Sequence, residues 1–353
     1  MIKRFAGLAL LASVGCSDPA GGGGDTDAGG AGGVAGQGGG AGGMGGGAGG
    51  AGGAGGGAGG AGGAGGAQPV TIAPGPPDVA APAALDGNLG LDETRGTCDA
   101  SFDWVAGMRG WIIDDAGQPV VGAKAQACIY TEPGRMLLCL QPNDSDAEGI
   151  FTISVPEQAR CHSGINMRVL LPESGRASIY CEAESTDPIV RVRNPLVLYQ
   201  TEPAVVVPPY APGAEARDVV FADGTTLMGV VPDDYFGSDY EALGMQRVSP
   251  TGRGLCFLEG QTTPSAVIAF YPEGALAAPV DFRLPNDLGL AAGSQVTFMV
   301  LGSLDCTLAD GSQVPEAAWQ DFGTGTVSAD GSAIESDPGS GLPCINWLGY
   351  RPL

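Results

Sequence analysis

The chain is 353 residues long, with 63 glycines, 39 acidic residues against 16 basic ones, and a formal charge of −23 at neutral pH. Its arginines are scattered singly and Lys124 is the only lysine beyond Lys3, which argues against a nucleic-acid partner, whose backbone demands clustered Lys and Arg. One histidine and the absence of any Cys-x-x-Cys pair argue against zinc and iron–sulfur sites, so no metal or cofactor is expected.

Residues 1–15 have the layout of a secretory signal: Lys3 and Arg4, then an uncharged, mostly apolar run from Phe5 to Val14. The run is too short to span a bilayer, which takes roughly 20 helical residues. It ends in Ser13-Val14-Gly15-Cys16, which resembles the lipobox of bacterial lipoproteins, with Ser13 where leucine is commoner. The resemblance implies a diacylglycerol on Cys16, which becomes the mature N-terminus. The partner at this end is then the membrane, each buried methylene adding about 0.8 kcal/mol of affinity. Ser17 follows in place of the inner-membrane retention aspartate, so the implied address is the cell envelope, at the outer membrane. An ordinary signal with an incidental Cys16 is the alternative. Loss of Lys3 and Arg4 with the signal would deepen the negative charge by two.

Residues 16–67 are written almost wholly in glycine and alanine and offer nothing to bury, so a disordered linker is expected. Inserted glycines at Gly55-Gly56-Gly57 and the lack of proline between Gly21 and Gly66 argue against a collagen-like helix. Residues 68–97 add Pro69, Pro74, Pro76, Pro77 and Pro82, which stiffen the chain toward an extended form. Together they predict a stalk of about 80 residues, reaching roughly 50 Å if fully flexible.

Residues 98–201 read as a β-sandwich. Phe151, Ile153 and Val155 alternate with Thr152 and Ser154, and Ile189 to Arg193 alternates likewise, as strands with one buried face require. Asp115-Ala116-Gly117 is turn chemistry. The segment from Gly110 through Pro119 to Gly122-Ala123, followed by Asp146-Ala-Glu-Gly149-Ile-Phe151, resembles the carboxypeptidase regulatory-like domain, a transthyretin-like β-sandwich. The match covers about Met108 to Arg168. It implies an accessory fold without activity of its own.

Residues 202–353 predict a second sandwich. Strands are expected at Asp218–Phe221, Thr226–Val231, Ala266–Tyr271, Val280–Leu284, Gln295–Leu301 and Gly325–Ser328, with Asp-Gly turns at 223–224, 310–311 and 330–331. One short helix is expected around Pro315 to Gln320. The predicted fold class is therefore all-β: two small sandwiches after a Gly/Ala/Pro-rich stalk.

With Cys16 set aside, Cys98, Cys128, Cys139, Cys161, Cys181, Cys256, Cys306 and Cys344 remain, an even set that reads as disulfides in an exported chain. Folding 121–130 against 135–141 about Pro133-Gly134 sets Cys128 opposite Cys139. Five of the eight precede any boundary between 182 and 255 and three follow it. If all pair, at least one bridge must join the halves.

The search for chemistry leaves no catalytic set. His162 adjoins Cys161, and if the segment is a strand its neighbours point to opposite faces, which makes a dyad geometrically poor and a structural histidine the expected reading. No Gly-x-Ser-x-Gly, HExxH or P-loop occurs. A calcium loop from Asp144 would place Val155 where the closing acid belongs, and Asp233 to Asp239 has no better pattern. Trp104, Trp111, Trp319 and Trp347 read as core, though exposed they could stack on sugars. The function expected is a non-enzymatic envelope lipoprotein displaying its β domains for binding, adhesion or assembly, with a protein or polysaccharide ligand. A glycan or cell-wall-polymer binding module is the alternative, and a hydrolase built on two carboxylates the third reading.

Overall fold

The alternation seen in the sequence becomes strands throughout. The structure, a computed structural model, describes residues 70–131, 137–183, 187–236, 240–258 and 263–353. The signal segment, Cys16 and the 16–67 linker lie outside these residues, as do parts of the expected 131–134 turn and of the Asp233–Asp239 cluster. Among the described residues there are strands and five short 3₁₀ turns but no α-helix, so the protein is all-β.

The first lobe holds two larger sheets and a two-stranded one that pairs Asp103–Trp104 with Cys161–His162. In one, Ile179–Glu182, Gly164–Leu170, Lys124–Tyr130 and Leu137–Cys139 lie side by side, all antiparallel. In the other, Gly107–Asp114 sits between Ile189–Arg191 and Leu196–Leu198, both parallel to it, and pairs antiparallel with Ile150–Ser154. Phe151, Ile153 and Val155 are fully buried, as their alternation requires. Two carboxylates close the turns. Asp114 Oδ1 accepts the N–H of Ala116 and Gln118, and Asp146 Oδ1 those of Glu148 and Ile150. Gly149 ends the second turn at φ +74°, where a Cβ would meet the Ile112 carbonyl oxygen at 2.3 Å.

The second lobe is built on one twelve-stranded sheet, whose path starts from Ile72–Ala73 and runs from Gly244–Val248 through Ala266–Val280, Leu342–Pro352, Gln295–Leu301, Trp319–Val327, Ala333–Ser336, Phe282–Pro285 and Thr226–Val230 to Arg217–Val220, with Glu202–Pro203 and Tyr235–Phe236 paired beside it. Register shifts within Ala266–Val280 bend it. It curls over itself: Phe221, beyond the last strand, meets Phe270 near the opposite end, ring centroids 5.8 Å apart. Arg247, almost wholly buried, reaches across the same closure to Asp223 and Asp287, each at 2.7 Å. Burial opposes its charge, but Tyr350, Asp287 and Asp223 more than offset this and raise its pKa.

The sheet changes between Leu196–Leu198 and Glu202–Pro203, and the described residues form one compact unit. Val248, Leu255, Phe257, Val267, Ala269, Leu301, Ala317 and Trp347 of the second lobe share a core with the first.

Two expectations are corrected. Residues 70–97, expected as linker, lie along the body: Ile72–Ala73 pairs parallel with Arg247 and Val248, and Leu85 is buried. The prolines do extend this segment, but an open sheet edge and arginines that meet its acids give it somewhere to lie. The helix expected around Pro315 to Gln320 is absent. Ala317 has φ +64°, Glu316 bridges Gly302, and Trp319 and Gln320 pair with Leu301 and Val300. Sheet pairing overrides the local helical preference of Glu-Ala-Ala.

All eight cysteines of the body are paired: Cys98–Cys161, Cys128–Cys139, Cys181–Cys256 and Cys306–Cys344. Cys128 and Cys139 face each other across adjacent strands, and Cys181–Cys256 is the bridge between lobes that parity demands.

Candidate functional site: the junction of the lobes

The antiparallel pairing of Ile179–Glu182 with Gly164–Leu170 puts Tyr180 opposite Arg168 and Glu182 opposite Asn166. Same-face neighbours follow from the pleat, so Asn166, Arg168 and Tyr180 form a polar patch on the sheet's outer surface. The second lobe covers that patch. Glu273, from the irregular part of Ala266–Val280, takes both the Arg168 guanidinium and the Tyr180 hydroxyl. The Arg168 guanidinium also lies 5.8 Å from the Tyr180 ring centroid. Asn166 Nδ2 donates to the Glu316 carbonyl at 3.1 Å and to the Tyr130 hydroxyl at 3.2 Å.

Glu316 is the unusual group. It is 6% exposed, and neither carboxylate oxygen makes a hydrogen bond of good geometry. Burial pushes its pKa up to about 7, with Arg168 and the Asn166 amide pulling the other way. Burial likewise drives the Tyr180 hydroxyl well above the ordinary phenol range, against the nearby Arg168 charge. Beside these groups opens a cleft of about 500 Å³, lined also by Leu171, Arg176, Tyr271, Ser303 and Asp305. Its arginines are turned inward: Arg168 onto Glu273, and Arg176 onto the Leu198 carbonyl at 2.8 Å and onto Asp114 and Asp115 at 3.5 Å. Such an arrangement fixes one lobe against the other and places a carboxyl that titrates near neutrality at their seam.

A second contact reinforces the junction. Trp347, fully buried, donates its Nε1–H to the Ser178 carbonyl at 2.6 Å and packs on Phe257 and Tyr199, at centroid distances of 4.8 and 6.3 Å. Trp104 and Trp111 are also buried, and Trp319 is half-buried with its ring 5.8 Å from Phe257. The four tryptophans thus lie in or against the cores.

The other candidates are dispersed. His162 is buried opposite Asp103, and burial lowers its pKa against that carboxylate. Cys161 beside it is consumed in the bridge to Cys98. Asp144 pairs with Lys124, Asp146 caps its own turn, and Asp233 accepts the Gly213 N–H at 2.7 Å. Among the described residues no group of three acids, cysteines or histidines is placed to hold a metal ion. Nor is any helix among them long and apolar enough to cross a membrane.

Sequence reasoning missed Arg168, Glu273 and Glu316. Asn166 and Arg168 alternate with Ile165 and Met167 and so read as the solvent face; only the covering lobe makes them internal.

No family model matches the chain, and no curated protein matches it. Among solved structures, hydroxyquinol 1,2-dioxygenase from Pseudomonas putida DLL-E4 is 20% identical over 32% of this chain, at a TM-score of 0.17. The chain spans 51% of that enzyme's length. A shaft pilin of Lactobacillus rhamnosus GG is 8% identical, covering 71% of this chain and 88% of its own, at a TM-score of 0.18. The major pilin subunit of Bacillus cereus is 9% identical, covering 67% and 85%, at 0.17. At these scores none of the likenesses bears on function.

Proposed function

We propose that the chain is an exported envelope lipoprotein that presents a disulfide-locked, two-lobed β body for binding, adhesion or assembly, without catalytic chemistry of its own. The observation that carries this reading is the pairing of all eight later cysteines within the body. Cys16 is then the odd ninth, set at the end of an apolar run where a lipid would be added. Four bridges also call for an oxidising compartment outside the cytoplasm. The Gly/Ala segment would hold the body away from the membrane, and Ser17 favours the outer membrane. Carboxypeptidase regulatory-like character for the first lobe is supported by the roles of Asp114, Asp146 and Gly149 in its turns. The ligand would be a protein or polysaccharide of the envelope.

Intact mass of the membrane-extracted protein tests the reading. The expected product starts at Cys16, carries acyl mass, and exposes eight alkylatable thiols only after reduction. The Cys16→Ser variant is expected in the soluble fraction. Cleavage elsewhere without lipid, or thiols that react before reduction, would overturn the anchor or the bridges respectively.

A further inference from the structure

Residues 70–97 cross from one lobe to the other as a strap. Ile72 and Ala73 extend the edge of the large sheet, Asp78 pairs with Arg253, Pro77 lies against Gly117, and Asp86 meets Arg193 at 3.1 Å. The Gly87 carbonyl accepts from Arg109 at 3.2 Å, and Asp92, which accepts the Thr94 N–H at 2.9 Å, feels the Arg160 charge as a lesser influence. At its far end Cys98 is bonded to Cys161. The strap carries four acids and one arginine, while four of the body's few arginines lie along its path. Within it only Ala73, Pro76 and Leu85 are buried, and both ion pairs are exposed. Exposed pairs contribute little and are screened by salt. Beside the strap the groove continues as a cavity of about 530 Å³, lined by Trp111, Arg193, Arg253 and Leu255 as well as Asp78 and Val79.

We propose that the strap is releasable, and that the groove it occupies is a docking surface for the strap of a second copy of this chain. The fit is already realised within one chain: an extended acidic segment lies along a row of arginines in an otherwise strongly acidic protein. Exchange between copies would repeat the same contacts, as in domain swapping, with the exchanged segment still held covalently at Cys98. The attached strap has an effective concentration of order millimolar, so exchange is favoured where copies are crowded and suppressed in dilute solution. This inference is independent of the lipid anchor.

The test removes the advantage of the attached strap by charge reversal in the full chain carrying Cys16→Ser. One variant is Asp78→Arg/Asp86→Arg; the other is Arg193→Asp/Arg253→Asp. Each alone mismatches its own strap and groove, while the pair match each other in both directions. Light scattering is expected to show monomers for each alone, a dimer for the equimolar mixture at about 20 mM salt, and monomers again at about 0.5 M. A mixture that stays monomeric at low salt overturns the proposal. Hydrogen exchange on the unmutated strap keeps the idea testable if a variant misfolds. Amides at 72–73 are expected to exchange at least about tenfold faster than those of Leu342–Pro352, and faster still at high salt. Protection equal to that strand's would show a strap that does not release.

Discussion

The two lobes are built from the same kind of strand but closed in different ways. The second lobe has a core of its own: Val219, Phe221, Leu227, Phe270, Phe282, Phe298 and Tyr350 pack together with no residue from outside it. Its curled sheet is fastened by Arg247 between Asp223 and Asp287. The first lobe's core, by contrast, is completed by Trp347, Phe257 and Val267 of the second and by Ala73 and Leu85 of the strap. One lobe holds a core made wholly of its own residues, and the other's core is shared with its neighbour. A small sandwich buries too little surface to be generous with stability, and here the larger sheet supplies the missing wall.

Separating the lobes puts most at stake. Residues 202–353 with Cys256→Ser should unfold in one cooperative thermal transition, while residues 98–201 with Cys181→Ser should bind a hydrophobic dye and melt without a sharp midpoint. Cooperative melting of the smaller fragment alone would erase the asymmetry. A single residue probes the same dependence in the intact chain. Trp347→Ala removes a fully buried ring and the hydrogen bond to Ser178, and should cost about 3–5 kcal/mol in denaturant titration. Its effect should fall on protection of the first lobe as well as the second, as read by hydrogen exchange along Gly164–Leu170.

What the sequence disclosed and what it concealed divide along this same seam. Alternation was enough for Phe151, Ile153 and Val155, since a strand's period is local. Strand register was enough for Cys128–Cys139, and parity for a bridge between halves. Asn166 and Arg168 were illegible because nothing local distinguishes a polar face wetted by solvent from one covered by a second sheet. Glu316 was hidden for a related reason: its neighbours favour a helix, and only the pairing of Trp319 with Leu301 draws the segment out into a strand. The strap was read as linker because its partners, Arg193 and Arg253, are remote in sequence.

The Cys181–Cys256 bridge sharpens the comparison at the next level down. It closes a long loop, 75 residues in sequence, and replacing both cysteines by serine should cost about 2–4 kcal/mol through the entropy of the unfolded chain. Because the lobes are also joined by Trp347 and by the Arg168–Glu273 pair, the variant should still fold as one cooperative unit. Two separate transitions in calorimetry would mean that the covalent bond, and not the shared core, makes the lobes one body.

The smallest effect is the one that pH controls. Glu316 has its pKa raised from an ordinary 4.5 to about 7 by burial at the seam. Between those two values the folded chain holds a proton that the unfolded chain has released, so the unfolded state binds fewer protons and stability falls as pH rises. The loss begins near the unfolded value and is complete above about pH 7, amounting to at most roughly 3 kcal/mol. Glu316→Gln removes the titration while keeping shape. It should match the parent chain near pH 4.5 and exceed it by a margin that grows up to about pH 7 and then stays level. The difference between the two chains isolates this one carboxyl from the other acids, whose own titration is common to both. A difference that does not change between pH 5 and 8 would mean that Glu316 stays ionised and is satisfied by Arg168. The seam would then be held by a buried ion pair at every pH, and the first lobe would depend on its neighbour's charge as well as on its apolar wall.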